Sequence, residues 1–175
     1  MAHPILSTLY PAYHIVNYEG VPIYRAQAWA LKDAAIHGQE FTVTSGDRRP
    51  STISAFNKKY HTNLHDQAYL YRHQHDPGFF PANPPDRGTH VLKGDGVVGY
   101  LHEDLPKYKL GIDVVSKGYY NNAAPLVMWL NQHGYSVYRP YPSGSEAHHI
   151  VFRKSPATNA RKRLAAHYAG RPHKR

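Results

Sequence analysis

The chain of 175 residues contains no cysteine. That excludes a disulfide framework, a Cys-ligated zinc site, an iron–sulfur cluster and a thiol nucleophile. Any metal must be held by His, Asp and Glu. No apolar run approaches the roughly 18 residues that cross a bilayer, so no membrane span is expected. Met1 to Tyr10 lacks a basic stretch followed by an apolar one, so no signal peptide is expected either. Acid is also missing from one end: Arg153 to Arg175 holds no Asp or Glu.

What is present fits one ordinary domain. Chains of this length bury roughly 70% of the surface that their unfolded form exposes, enough for a core without staples. The hydrophobic share of 41% lies well above the disordered range. The formal net charge of +9 is unevenly placed. Residues 1–152 are nearly neutral. The surplus comes from Arg153, Lys154, Arg161, Lys162, Arg163, Arg171, Lys174 and Arg175. Such a basic end binds polyanions (nucleic acid, anionic lipid or an anionic wall polymer) or simply solvates the chain.

The pattern predicts a mixed α+β domain: a small antiparallel sheet with helices packed on it. Residues 1–20 read as an extended lead-in, 21–152 as the body and 153–175 as a basic helix and tail. A helix is expected from Val21 to His37, with Pro22 in its first turn and Gly38 as its stop. A strand follows from Glu40 to Thr44, then a turn from Ser45 to Pro50. Ser51 is expected to cap a helix reaching Tyr60, and Asp66 one from Gln67 to His73. Residues 76–88 carry four prolines and two glycines and read as a loop, of a length that is often functional. Strands are expected at Val97–Leu101, Leu110–Val115, Tyr135–Arg139 and Ala147–Phe152. Helices are expected from about Asn122 to Gly134 and from Ser155 to about Tyr168.

Four short segments carry candidate chemistry. Ser45-Gly46-Asp47-Arg48 leaves a strand, a place where ordinary turns also sit. Gly88-Thr89-His90 leaves the Pro-rich loop. Asp113 stands inside the apolar run Leu110 to Val115, where a carboxylate is costly unless paired or metal-bound. Glu146-Ala147-His148-His149 opens an apolar strand. Adjacent strand residues point to opposite faces, so one of the two histidines is expected to face any site that the strand lines. Glu146 precedes His149 by three positions, the layout of a general base beside a metal ligand. His90, Asp113 and His149 together form a candidate two-His, one-carboxylate set with an open position for water.

The order Ser-Gly-x-Arg, Thr-His, small-x-Asp and Glu-x-x-His resembles the zinc D-alanyl-D-alanine carboxypeptidases and L-alanyl-D-glutamate peptidases. That VanY-like group includes many bacteriophage endolysin peptidase domains. The resemblance covers roughly residues 20–152. Asn83-Pro84-Pro85 to His90, Asp95-Gly96-Val97, Gly111-Ile112-Asp113 and Glu146 to His149 look closest to the peptidase segments of phage lysins. The resemblance implies a single Zn2+ at the sheet, held by His90, Asp113 and His149. It implies Glu146 as the catalytic base and Arg48 as the cation that engages a substrate carboxylate or oxyanion. Two departures stand out. The family usually has Trp where this chain has His148. It also places its first His close before its Asp, whereas His90 and Asp113 lie 23 positions apart. His102 is therefore a second candidate for the first ligand, and Asp95 for the carboxylate.

The activity implied is hydrolysis of a peptide bond in the peptidoglycan stem peptide. The enzyme would be made in the cytoplasm and act on the wall of a bacterial host after release. The basic end would suit anionic wall polymers, with nucleic acid the less favoured partner. Tyr119, Tyr120, Tyr138 and Tyr141 either line the cleft or belong to the core. The alternative is a basic-tailed nucleic-acid-binding or virion structural protein on an inactive peptidase fold.

Overall fold

The computed structural model describes residues 14–79 and 110–169. The expected strand Val97–Leu101, most of the Pro-rich loop, and His90, Asp95 and His102 lie outside the described residues. Within them the chain is α+β: five helices, a two-stranded and a four-stranded sheet, with every pairing antiparallel.

The first element corrects the sequence reading. Ile15–Tyr18 (β1) pairs with Val21–Tyr24 (β2) in a hairpin, and the helix α1 begins only at Arg25 and ends at Ile36. Residues 21–24 are strand because the two residues between them and β1, Glu19 and Gly20, both adopt positive φ (51° and 89°). A two-residue turn of this hand matches the twist of paired strands. Gly20 N–H also donates to Asn17 Oδ1 at 2.7 Å. Pro22 sits in β2 and offers its carbonyl to Asp47 N–H at 2.7 Å. The helix starts where Gln27 Oε1 turns back to accept from Tyr24 N–H at 3.0 Å. Its boundary is thus set by a cap rather than by the proline.

The four-stranded sheet has the order β3-β4-β6-β5, with β3 Phe41–Ser45, β4 Leu110–Ser116, β5 Val137–Tyr138 and β6 His149–Phe152. β5 and β6 are shorter than the expected strands. Around the sheet lie α2 (Pro50–Tyr60), α3 (Gln67–Arg72), α4 (Ala124–Gln132) and α5 (Ala157–Ala169). The expected Asp66 cap is present, accepting from Tyr69 N–H at 2.8 Å. Ser51 caps nothing. Pro50 occupies the first turn of α2 and Arg49 is its cap residue, as a proline with preset φ favours.

The core lies between the sheet and α1, α4 and α5. Ile23, Leu31, Ile112, Val114, Leu126, Leu130, Ile150 and Phe152 are all at most 1% exposed. Burying one such side chain contributes about 1.5–3 kcal/mol. Alternation along β4 then has a consequence for function. Ile112 and Val114 face this core, so Asp113 between them faces the other way. The basic segment joins the body along its described length. Ala160 of α5 is buried, and Arg163 Nε donates to Asp33 Oδ2 of α1 at 2.6 Å.

Candidate functional site

Three neighbouring strands bring one residue each to a single row. Ser45 of β3 stands opposite Asp113 of β4, and Asp113 stands opposite His149 of β6. Directly opposed residues share a face, so their side chains are neighbours. The first of these pairings depends on an irregularity. Val43 opposes Val114, yet Ser45 opposes Asp113, so the register shifts between them. Without that extra residue Thr44 would oppose Asp113, and Ser45 would fall on the core side.

The turn after β3 carries Arg48 back over this row. Arg48 Nε donates to Ser45 Oγ at 2.9 Å, NH1 to Gln67 Oε1 at 3.3 Å and NH2 to Asp113 Oδ2 at 3.3 Å. Each residue of Ser45-Gly46-Asp47-Arg48 has a separate task. Ser45 anchors the guanidinium. Gly46 passes so close to β2 that an added Cβ would lie 2.0 Å from Pro22 O. Asp47 is buried and accepts from Arg49 N–H, Arg49 Nε and Thr52 Oγ at 2.8–3.1 Å, which fixes the start of α2. Gln67, at the first turn of α3, is 2% exposed and also receives Arg48 through its backbone, Gln67 N–H donating to Arg48 O at 2.9 Å.

Asp113 is the centre of the cluster. His149 Nδ1 lies 2.8 Å from its Oδ1, and Arg48 NH2 holds its Oδ2. The expected cost of a carboxylate in this strand is met by pairing. Burial pulls the Arg48 guanidinium below its ordinary pKa, and the Asp113 and Glu146 carboxylates push it back up. An arginine starts so far above neutrality that it stays charged.

Glu146 and His148 are placed by a turn, not by a strand. His149 N–H donates to Glu146 O at 3.0 Å, and β6 begins at His149. The expected split of His148 and His149 to opposite faces therefore does not occur: both approach Asp113. His148 Nε2 lies 3.9 Å from Asp113 Oδ2. Glu146 is exposed and close enough for its charge to act on Arg48.

Of the sequence candidates, Arg48, Asp113, Glu146 and His149 thus come together. Two described donors suit zinc, the carboxylate oxygen of Asp113 and the imidazole nitrogen of His149, both nearly buried. Among the described residues no set of three His, Cys, Asp or Glu is arranged around one metal position. Sequence reasoning passed over Ser45 and Gln67 as individual contributors. Neither carries a local signal, because each acts through Arg48 across the fold. Tyr119, Tyr120 and Tyr141 are exposed on the loops around this end of the sheet. Arg139 NH1 ties two of those loops together through Asn122 Oδ1 and Pro142 O. Tyr138 is half-buried under the Arg153 guanidinium, 4.0 Å from the ring centre.

Among the described residues no helix is long and apolar enough to cross a membrane. Compared with protein-family models, curated proteins and solved structures, the chain gives no match.

Proposed function

We propose that this protein is a zinc-dependent peptidase of peptidoglycan stem peptides, working at the cluster of Arg48, Asp113, Glu146 and His149. What supports the reading is convergence. Arg48 and His149 both reach the Asp113 carboxylate, and Glu146 lies close enough for its charge to act on Arg48, so positions scattered over a hundred residues of sequence gather in the residue types that such hydrolysis uses.

Asp113 and His149 would hold the metal, with His90 the third donor that the family resemblance implies. Bound zinc would supply Lewis acidity and a lowered pKa for water. Glu146 takes the proton of the attacking water and passes it to the leaving amine nitrogen, a role worth roughly 10²–10⁴ in rate. Its exposure leaves it open to substrate. Arg48, pinned by Ser45 and Gln67, keeps a positive charge where negative charge sits or develops, worth on the order of 3 kcal/mol. The exposed Arg161 and Lys162 of α5 face solvent beside a cavity of about 350 Å³ that Lys154 and Lys162 help to line. They would contact anionic wall polymers.

The test is mass spectrometry of purified peptidoglycan incubated with the zinc-loaded protein, beside a chelated control and Glu146→Ala. Fragments that appear only with zinc and intact Glu146 support the peptidase, and their masses name the bond. A folded, zinc-containing protein that releases nothing from several wall types overturns it. The cations of α5 then favour the second reading, a nucleic-acid-binding protein, which predicts DNA or RNA binding that weakens steeply with salt.

A further inference from the structure

The cavity beside α5 lies at the far end of β6 from His149. Residues 134–136, which lead into β5, and residues from the start of α5 line its volume of about 350 Å³. That is the size class of sites for small molecules. Two hydrogen bonds hold its sides in place. Arg153 N–H donates to Ser136 O at 2.8 Å, and Asn159 Nδ2 donates to His133 O at 2.9 Å. Gly134 makes room for the second of them. It has a φ of 88°, and an added Cβ would lie 3.1 Å from Asn159 Nδ2.

The lining is cationic and rich in hydroxyls. Lys154 enters from the segment after β6, and Lys162 from the second turn of α5. No acid lines the cavity, and no carboxylate among the described residues pairs with either lysine. Two like charges on one cavity repel, and an anion between them relieves that repulsion. Ser136, Ser155 and Thr158 supply the hydroxyls. Ser155 Oγ accepts from Ala157 N–H at 3.3 Å, which leaves its own O–H to donate. Tyr135 also lines the cavity, but it is 5% exposed and gives its hydroxyl to Asp33 at 2.7 Å. The lining therefore offers no open aromatic face on which a nucleic-acid base could stack.

These features select the ligand. Lysine ammonium groups are point charges that suit phosphate oxygens, whereas a planar carboxylate pairs best with the fork of an arginine. A phosphate alone would use the lysines and leave the hydroxyls unmatched. We propose that this cavity binds a polyol phosphate, its phosphate between Lys154 and Lys162 and its polyol against Ser136, Ser155 and Thr158. That the unit belongs to an anionic wall polymer rests on the function proposed above, but the binding uses neither zinc nor Glu146.

The test is calorimetric titration of the full chain with sn-glycerol 3-phosphate, a short oligo(glycerol phosphate), inorganic phosphate and oligothymidylate, with 1H–15N spectra to locate each ligand. The oligomer should bind about tenfold tighter than inorganic phosphate, the gain of one or two hydrogen bonds. Shifted amides should gather at Ser136, Ser155, Thr158 and Lys162. Lys154→Gln and Lys162→Gln should each weaken the oligomer about tenfold, as loss of a hydrogen bond to a charged group does. Thr158→Ala should weaken glycerol phosphate and leave inorganic phosphate unchanged. Lys58→Gln removes the same charge from the exposed end of α2 and should have no measurable effect on binding. Unfolding temperatures should match the parent's throughout. Inorganic phosphate as tight as the oligomer overturns the inference, as do shifts elsewhere in the chain or an equal loss from Lys58→Gln. Tighter binding of oligothymidylate through the same residues overturns the polyol assignment and makes the cavity a nucleic-acid contact. Zinc-dependent wall fragments from a protein that binds no oligomer defeat this inference alone. Oligomer binding by a zinc-loaded protein that releases no fragments keeps the site and defeats the peptidase.

Discussion

Asp113 and His149 stand opposite each other in the β4–β6 ladder, and their side chains meet at 2.8 Å on the face turned away from the core. The ladder, not a loop, sets this distance. Under the proposed reading this preorganised pair would supply two of the zinc donors. Replacing His149 with Ala should abolish stoichiometric zinc binding and leave the sheet paired. Asp113→Asn should lose zinc as well, and it should also destabilise the fold. It leaves Arg48 without the carboxylate that holds its charge, and because the Arg48 side chain is 21% exposed the loss should fall at or below the lower bound of about 3 kcal/mol for removing one partner of a buried pair. Zinc analysis by mass spectrometry and urea unfolding separate the two effects. Full zinc content in His149→Ala would show that the ligand set lies elsewhere.

Gly46 makes a second claim testable. Its backbone runs against β2 so tightly that an alanine Cβ would overlap Pro22 O at 2.0 Å and Ile23 Cγ2 at 2.7 Å. The obstacle is backbone, so it cannot rotate away. Gly46→Ala should push the hairpin and the 45–48 turn apart, costing about 1–3 kcal/mol as overpacking does. It should also move Arg48 off Asp113. Thermal unfolding and turnover should both fall. A variant with parental stability would mean that this approach is looser than the structure has it.

The Asp113 environment was legible from sequence for a physical reason: a charge in a β-branched apolar run must find a partner. The same logic could not name the partners. Gln67 and Ser45 reach Arg48 across the fold, and no periodicity encodes that. The β1–β2 hairpin was hidden because Pro22 before an alanine-rich stretch imitates the start of a helix, while the deciding feature is the positive φ of Glu19 and Gly20. The shifted pairing at Thr44 leaves no trace in an alternating pattern either. The side that His148 takes is not legible because Ala147 to Phe152 reads as one strand, although the backbone bond from His149 to Glu146 makes its first residues a turn.

α5 is predicted to depend on one buried carboxylate. Asp33 is 0% exposed and holds both Arg163 Nε at 2.6 Å and Tyr135 OH at 2.7 Å. Arg163→Met keeps the stem that packs near Trp129 and removes only the charge. It should cost up to about 3 kcal/mol, the lower end for a buried pair because Arg163 is 27% exposed, since Asp33 would stay buried without the Arg163 charge. The double variant Arg163→Met, Asp33→Asn should recover part of that loss. A double-mutant cycle in urea measures the coupling, and additivity would show that the pair does not dock the helix.

Tyr135 extends the same cluster into a pH prediction. Burial first, and then the hydrogen bond and charge of Asp33, raise its phenol well above the ordinary value of 10.0. A raised value means that the folded state keeps a proton that the unfolded state releases. The stabilisation is therefore fully present below about pH 10 and is lost as pH climbs beyond it, at about 1.4 kcal/mol per pH unit for one proton. Tyr18 is also raised, by burial and by Glu19, and adds in the same direction. Tyr135→Phe removes one contribution and leaves the other. Its stability should be lower than the parent's at pH 8, by about 1 kcal/mol for a lost hydrogen bond. The gap should close as pH rises to 11, because the variant has no proton to lose at that position. Urea unfolding of both proteins across this range checks it, and two curves that stay parallel would place the Tyr135 phenol in water rather than against Asp33.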